Sequence, residues 1–142
     1  MRPFPAFLIT SCLVTVLGAC HEDRPLTLAP LQGIWSNEDA ATPGVDTVKI
    51  DVQGSMVLVR MWGACVPMDC YWGQAVADQS EWQSRGVLHV TWDPGFAIET
   101  QDLSLPSSGR LRVTTSTHFT DNSGRADSQR TDYFRHPTQS GV

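Results

Sequence analysis

The chain has 142 residues, the length of a single domain, and 18% of them are charged while 41% are hydrophobic. This composition excludes an intrinsically disordered chain, a long coiled coil and a multi-pass membrane protein. Ten Lys and Arg stand against 15 Asp and Glu, a net charge of −5, so there is no field of positive charge to bind nucleic acid.

The chain begins with the pattern of an export signal. Arg2 supplies a positive start, and residues 4–19 form an uncharged, mostly apolar run that ends in small residues. Because about 20 apolar residues are needed to cross a bilayer, this run is too short for an anchor helix and predicts a signal peptide over residues 1–19. The sequence Leu-Gly-Ala-Cys at residues 17–20 resembles the lipobox of bacterial lipoproteins.

The lipobox resemblance implies cleavage after Ala19 and attachment of lipid to the thiol and the amine of Cys20. Several acyl chains hold a protein firmly to a membrane, because each buried methylene contributes about 0.8 kcal/mol. The next residue is His21 rather than Asp, which resembles lipoproteins sorted to the outer membrane. We therefore expect a protein of the bacterial cell envelope, anchored by lipid and facing the periplasm. The alternative is ordinary secretory cleavage nearby, with Cys20 left free.

Two segments without a strand pattern flank the expected domain. Residues 20–30 contain charged residues and prolines, and we expect a tether of at most about 35 Å at full extension. Residues 137–142 are small and polar, and we expect a disordered tail. The domain itself is predicted to span residues 31–136.

Under this interpretation, two of the four cysteines remain in the exported domain. Cys12 lies in the signal peptide and Cys20 carries the lipid, so Cys65 and Cys70 are the thiols left in the exported domain. An oxidising compartment favours a disulfide between them. Metal binding is a weaker alternative, because no His lies close enough in sequence to complete a zinc site. A catalytic redox pair is weaker still, because such pairs usually have two intervening residues.

Hydrophobic residues alternate with polar ones along the rest of the chain, which is the period-two pattern of β-strands. Val48, Ile50 and Val52 share one side of a strand, for example, and a Gly54-Ser55 turn follows it. No segment shows a helix of useful length. The predicted strands lie at residues 31–35, 45–53, 56–62, 71–77, 87–92, 96–105, 111–119 and 126–135.

About eight short antiparallel strands joined by hairpin turns indicate an all-β domain, either a sandwich or an up-and-down barrel. We favour a small barrel of the lipocalin or avidin kind, because closure removes exposed strand edges from a protein held at high density on a surface. An eight-stranded barrel is either filled by its own side chains or holds one small ligand. The sequence favours neither of these two interiors.

Two further resemblances concern the fold. Gly33 and Trp35 resemble the G-x-W opening of lipocalins and their calycin relatives, in which that Trp closes one barrel end under an Arg of a late strand. Arg135 is the residue that would cover Trp35 here, through a cation–π contact. Residues 31–136 also resemble a small bacterial β-domain built around a C-x-P-x-x-C-x-W-G core, here residues 65–73. Neither resemblance transfers a catalytic residue.

The densest group of aromatic residues surrounds the two cysteines, with a Trp-Gly pair on each side. We expect the cysteines to close a hairpin neck and residues 66–69 to form its tip. One interpretation is a purely structural brace. The other is a recognition tip, because loops fixed by a scaffold often carry function. The candidate recognition residues are Trp62, Pro67, Met68, Asp69, Tyr71 and Trp72.

The sequence contains no nucleophile elbow, no HExxH motif and no phosphate-binding loop. His89 and His118 fall on the polar sides of their strands, where a solvated imidazole is expected. We therefore expect a binding module without catalytic residues, cofactor or metal, which contacts an envelope assembly partner or inhibits a wall-degrading enzyme. The alternative is a carrier of a small apolar ligand in the barrel mouth.

Overall fold

The computed structural model describes residues 26–106 and 108–137. The predicted signal peptide, the predicted lipid attachment site at Cys20 and residues 138–142 lie outside the described residues. The secondary structure consists of a 3-10 helix, a short α-helix and eight strands within the described ranges. In chain order these are the 3-10 helix Ala29–Leu31, β1 (Gly33–Asn37), β2 (Val45–Gln53), β3 (Met56–Gly63), β4 (Cys70–Asp78), α1 (Gln79–Arg85), β5 (Val87–Trp92), β6 (Ala97–Ser104), β7 (Leu111–Phe119) and β8 (Ser128–Arg135).

The eight strands form one antiparallel sheet in the order β4-β3-β2-β1-β8-β7-β6-β5. The pairing of β1 with β8, in which Ser36 lies opposite Arg135, joins the first strand to the last. The sheet is therefore a nearly closed barrel with up-and-down connections, as the sequence predicted. The seam of this barrel lies between β4 and β5, which α1 connects and which no backbone ladder joins in the part of the chain described.

Alternating side chains explain why these segments are strands and which side of each faces inward. In β5, Leu88 and Val90 are buried while His89 between them is exposed. The β2–β3 hairpin forms where it was predicted, and its turn contains Gly54 at φ +61°, a conformation that favours glycine. Apolar side chains from all eight strands then meet in a single core.

The helix α1 corrects the sequence analysis, which indicated no helix. Asp78 caps the first turn by accepting a hydrogen bond from the Ser80 backbone N–H (2.8 Å), and Gly86 ends the helix at φ +67°. The buried Trp82 donates its indole N–H to the Thr27 carbonyl (3.0 Å), which attaches the helix to the N-terminal segment. One buried residue in seven gives no helical periodicity, so the hydrophobic pattern did not reveal α1.

Apolar packing around Trp35 closes one end of the barrel. The buried indole donates its N–H to a carbonyl of the preceding 3-10 helix (2.8 Å), and the ring of His136 covers it with centroids 3.7 Å apart. The predicted cover, Arg135, instead forms an ion pair with Glu38 (3.2 Å). Strand alternation is the reason, because Phe134 faces inward and turns its neighbour Arg135 to the outside.

Candidate functional site

The two ends of the barrel carry different connections, and we name them by these. The open end carries the loops at residues 38–44, 64–69, 93–96 and 120–127, whereas the closed end carries the 3-10 helix, α1 and the β2–β3 turn. Inward-facing side chains at the closed end are apolar, as Leu103, Leu111 and Phe134 show. Towards the open end the same strands place polar side chains inside, so this end holds the chemistry suited to a ligand.

A buried hydrogen-bond chain marks the level at which the interior becomes polar. Gln101 on β6 is fully buried; its side-chain oxygen accepts a hydrogen bond from the Trp92 indole N–H (2.8 Å) and its nitrogen donates one to the Thr115 hydroxyl (3.1 Å). A buried amide needs partners on both of its polar atoms, and this chain supplies them. The chain fixes the Trp92 ring between the apolar core and the open end.

Arg130, Asp132 and Thr42 form a second polar cluster inside the open end. The Arg130 guanidinium donates to the Asp132 carboxylate through Nε (2.9 Å) and Nη2 (2.7 Å), and Nη2 also donates to the Thr42 hydroxyl (2.7 Å). Asp132 and Thr42 are both buried. Because Thr42 belongs to the β1–β2 loop, the cluster holds that loop against the barrel wall.

Glu99 places at the open end a carboxylate that has no hydrogen bond or ion pair with the described residues. It lies directly opposite Trp92 in the β5–β6 pairing and opposite Thr117 in the β6–β7 pairing. Burial raises the pKa of Glu99 above its ordinary value, because the carboxylate loses water there. No hydrogen bond or ion pair from the described residues offsets that loss. A ligand with a positive charge would offset it.

Trp72 reaches the open end because of a β-bulge in β4. The β3–β4 pairing shifts between Met61 and Trp62, which leaves Trp72 as the extra residue beside Gly73 at φ +115°. The indole lies against Gly63, where an added Cβ would come within 2.5 Å of the ring nitrogen. Only glycine at position 63 therefore leaves room for the Trp72 ring.

Two cavities at the open end share Trp72 and Glu99 as lining residues. The inner cavity has a volume of about 230 Å³ and is also lined by the Arg130–Asp132 pair. The outer cavity has a volume of about 580 Å³ and lies along the seam between β4 and β5, so we name it the seam groove. The side chains that define its chemistry are Tyr71, Trp72, Trp92, Asp93, Phe96 and Glu99.

The predicted disulfide is present at the neck of the β3–β4 hairpin. Cys65 and Cys70 are bonded to each other, with their Cα atoms 5.6 Å apart. The tip that they close extends into solvent, since Val66 is 97% exposed and Met68 is 75% exposed. Because the two sulfurs are bonded, neither offers a thiolate to a metal ion.

The structure divides the six predicted recognition residues among three places. Residues 67 and 68 form the exposed tip. Tyr71 and Trp72 line the seam groove. Trp62 stacks on Tyr71 with ring centroids 5.2 Å apart, and it lines a pocket on the outer face of the barrel together with Asp69. Tyr71 is thus the residue that connects the groove to the outer pocket.

Sequence analysis missed Glu99, Arg130 and Asp132, because polar residues on a strand were expected to face solvent. The signal that identifies them is their spacing from buried apolar residues on the same strand. Arg130 and Asp132 are separated by even numbers of residues from the inward-facing Phe134, and Glu99 stands in the same relation to Leu103.

The two histidines considered as candidates lie on the outer face of the barrel. His89 contacts Asp102 (2.7 Å), and His118 contacts Asp127 (2.9 Å). The hydrogen bond with His118 holds the pKa of Asp127 below its ordinary value. These are exposed polar contacts, which contribute little to stability and leave the histidines solvated.

The fold and the site together define a small eight-stranded barrel with a disulfide-closed hairpin and a polar open end. Among residues 26–106 and 108–137, no three His, Cys, Asp or Glu side chains gather into a potential metal site. No helix in those ranges has the length and hydropathy needed to cross a membrane. No protein-family model matches the chain, and no curated protein matches it.

Proposed function

We propose that this is a lipid-anchored protein of the bacterial envelope that binds a partner protein at the open end of its barrel. The observation that carries the proposal is the position of the exposed apolar side chains. Among residues 26–106 and 108–137, ten large apolar side chains are exposed, and five of them lie at the open end, including the two most exposed. Such patches mark interaction surfaces on otherwise polar proteins. The five are Val66, Met68, Tyr71, Trp72 and Phe96.

The hairpin tip is suited to binding because it is held rigidly. The bond between Cys65 and Cys70 closes its neck, and the stacked rings of Trp62 and Tyr71 support the strands below. A loop that is already fixed loses less conformational entropy when a partner binds it. The tip therefore needs fewer contacts for a given affinity than a free loop of the same length.

The predicted lipid anchor would direct the open end away from the membrane. Leu28 and the 3-10 helix, the first parts of the described chain, pack at the closed end. Cys20 lies six residues before Leu26, so its lipid would hold the closed end within about 20 Å of the bilayer surface. The hairpin tip would then point into the periplasm, away from the outer membrane that His21 after the lipidated cysteine leads us to expect.

Binding rather than catalysis agrees with the contacts of the described histidines. His89 and His118 face carboxylates, and His136 contacts the Ile34 carbonyl (2.9 Å). None of these three imidazoles is hydrogen-bonded to a serine or cysteine side chain of the described residues.

Crosslinking in intact cells, followed by mass spectrometry of the captured protein, tests the proposal. Replacing the tip residues by Val66→Ser and Met68→Ser should reduce capture by about ten-fold or more, the loss expected for a few central apolar contacts. Met56→Ser, at a half-exposed apolar position of the closed end, is the control and should leave capture unchanged. Equal capture by both variants would contradict the proposal.

The anchor is tested separately by radiolabelled palmitate. The wild-type chain should incorporate the label, and a Cys20→Ala variant should remain unprocessed and unlabelled. Label on the Cys20→Ala variant would contradict lipid attachment at Cys20 while leaving the binding surface in place.

A second candidate function is the transport of a small apolar ligand in the barrel mouth. The seam groove favours it, because about 580 Å³ lined by Trp72, Trp92 and Phe96 lies in the range of small-molecule sites. The neutral dye N-phenyl-1-naphthylamine, which fluoresces in apolar surroundings, should then bind the full chain saturably, and Trp72→Ala should weaken that binding. Fluorescence without saturation would exclude this candidate.

A further inference from the structure

The seam groove combines aromatic rings with carboxylates, and no Lys or Arg lines it among the described residues. Two acidic residues contribute, of which Asp93 lies at the rim and Glu99 lies deeper, where the groove meets the inner cavity. Asp93 accepts a hydrogen bond from the Gly95 backbone N–H (2.8 Å). Its position is thereby fixed while its negative charge remains. The aromatic residues are Tyr71, Trp72, Trp92 and Phe96.

Two basic side chains of the open end already have partners. Arg130, which lines the inner cavity beside Glu99, gives two hydrogen bonds to the Asp132 carboxylate and one to Thr42. Arg125, at the rim of the open end, pairs with Asp121. Neither arginine therefore neutralises the Glu99 carboxylate, and the groove has a net negative charge.

Aromatic rings at the open end already accept one cation within the protein. The Arg125 guanidinium lies 3.9 Å from the ring centroid of Phe119 and 5.5 Å from that of Phe96. A cation over an aromatic face is attracted by the negative charge density of that face, most strongly for Trp. Trp72 and Tyr71 are partly exposed in the groove, with no cation stacked on them in the described part of the chain.

We propose that the seam groove binds a small organic cation, an alkylated ammonium group held against the rings of Trp72 and Tyr71 by the Glu99 carboxylate. The volume of about 580 Å³ suits a small molecule. Glu99 also lines the inner cavity, so the charge lies inside the barrel mouth rather than on its surface. Burial that raises the pKa of Glu99 favours such a ligand, since an ammonium group replaces the water that the carboxylate has lost. The inference goes beyond partner binding by the hairpin tip and does not rest on it.

Isothermal titration calorimetry of the full chain in detergent tests the charge requirement. The probes are choline and 3,3-dimethylbutan-1-ol, which have the same shape but differ in the positive charge. Choline should bind saturably with a stoichiometry of one, and the neutral alcohol should bind about ten-fold more weakly or not at all. Equal affinities for the two probes, or no saturable choline binding, would overturn the proposal.

Two variants locate the site, with a matched control on the same strand. Glu99→Gln should weaken choline binding by about ten-fold without changing the affinity of the neutral alcohol. Trp72→Leu, which keeps the ring's apolar character but not its charge distribution, should also weaken choline selectively. Asp102→Asn removes a carboxylate from the outer face of β6 and should leave both affinities unchanged.

Three results would contradict this placement. Choline binding unaffected by Glu99→Gln in a folded variant would place the cation elsewhere. Equal loss in Asp102→Asn would show an effect of overall charge rather than a site. Binding of a lysine-rich peptide without binding of choline would assign the groove to a protein side chain instead of a small molecule.

Discussion

The two ends of the barrel are made by the same strands but differ in the side chains that these strands place inside. Along β8 the inward-facing residues run from Phe134 at the closed end through Asp132 to Arg130 at the open end. Along β7 they change from Leu111 to Thr115 in the same direction. Apolar burial at the closed end stabilises the fold, because each large buried side chain contributes roughly 1.5–3 kcal/mol. The open end adds polar groups and cavities that a ligand can reach.

The sharpest test of this division is a pair of tryptophan truncations. Trp35→Ala at the closed end should lower the free energy of unfolding by about 3–5 kcal/mol, because it removes a fully buried ring and leaves a cavity. Trp72→Ala at the open end should lower it by less than about 1.5 kcal/mol, because that ring is already partly exposed. Urea unfolding followed by circular dichroism measures both, and equal losses would contradict the division.

The next largest loss of stability is expected when the polar cluster of the open end is disrupted. Asp132→Ala leaves the Arg130 guanidinium without its carboxylate partner and should lower the free energy of unfolding by about 2 kcal/mol. The β1–β2 loop should also exchange its amide hydrogens faster, since Thr42 is held only through Arg130 in this cluster. Asp102→Ala, at an exposed ion pair of β6, is the control and should leave stability near the wild-type value.

Removal of the disulfide should have an effect of similar or smaller size. Cys65→Ser opens a six-residue loop and should lower the free energy of unfolding by about 2 kcal/mol on the chain-entropy estimate. Addition of a reductant to the wild-type chain should give the same loss, and the Cys65→Ser variant should not respond to it. Free thiols at both positions in protein isolated without reductant would contradict the pairing.

The smallest expected change in stability comes from the ionisation of two carboxylates, Glu99 and Asp78, whose pKa values shift in opposite directions. Burial raises the pKa of Glu99, so its ionisation destabilises the folded state as pH rises from its ordinary value of 4.5 through the raised pKa. Glu99→Gln should therefore increase stability at neutral pH and have no such effect below the ordinary pKa. Thermal unfolding across this range measures it, and a variant less stable than the wild type at neutral pH would contradict the assignment.

Asp78, at the closed end, has a lowered pKa and should therefore affect stability in the opposite direction to Glu99. Hydrogen bonds from Ser80 lower the pKa of Asp78, so its contribution is present above its ordinary value of 3.8 and is lost as pH falls through the lowered pKa. Asp78→Ala should therefore be less stable than the wild type at neutral pH and approach it in acid. A loss that stays constant down to low pH would show that the helix cap does not depend on the charge.

The sequence was sufficient for the parts of the fold that follow from local rules. Alternation in β2, the Gly54-Ser55 turn and the apolar return at residues 56–62 predicted that hairpin to within one residue. The pairing of Cys65 with Cys70 followed from the short loop and the expected compartment. The number of strands and the short turns left a sandwich or a barrel, and the removal of exposed strand edges favoured the barrel.

The parts that were not predictable depend on contacts between distant residues. Helix α1 buries only Trp82, and its caps at Asp78 and Gly86 were the signal that alternation concealed. Trp72 turns towards the barrel mouth because of a bulge, and a bulge reverses the face that strand periodicity assigns. Glu99 and Trp72 line the same groove because the barrel closes, and closure cannot be read from the sequence around either residue.

Photo-crosslinking from one exposed methionine position at each end tests most directly whether the open end is the binding surface. Benzoylphenylalanine would replace Met68 at the hairpin tip in one strain and Met56 at the closed end in another. Both side chains are at least half exposed, so a partner can reach both positions. We expect a discrete protein adduct from position 68 and none from position 56. An adduct from position 56 alone, or equal adducts from both positions, would contradict an open end that binds and a closed end that holds the fold.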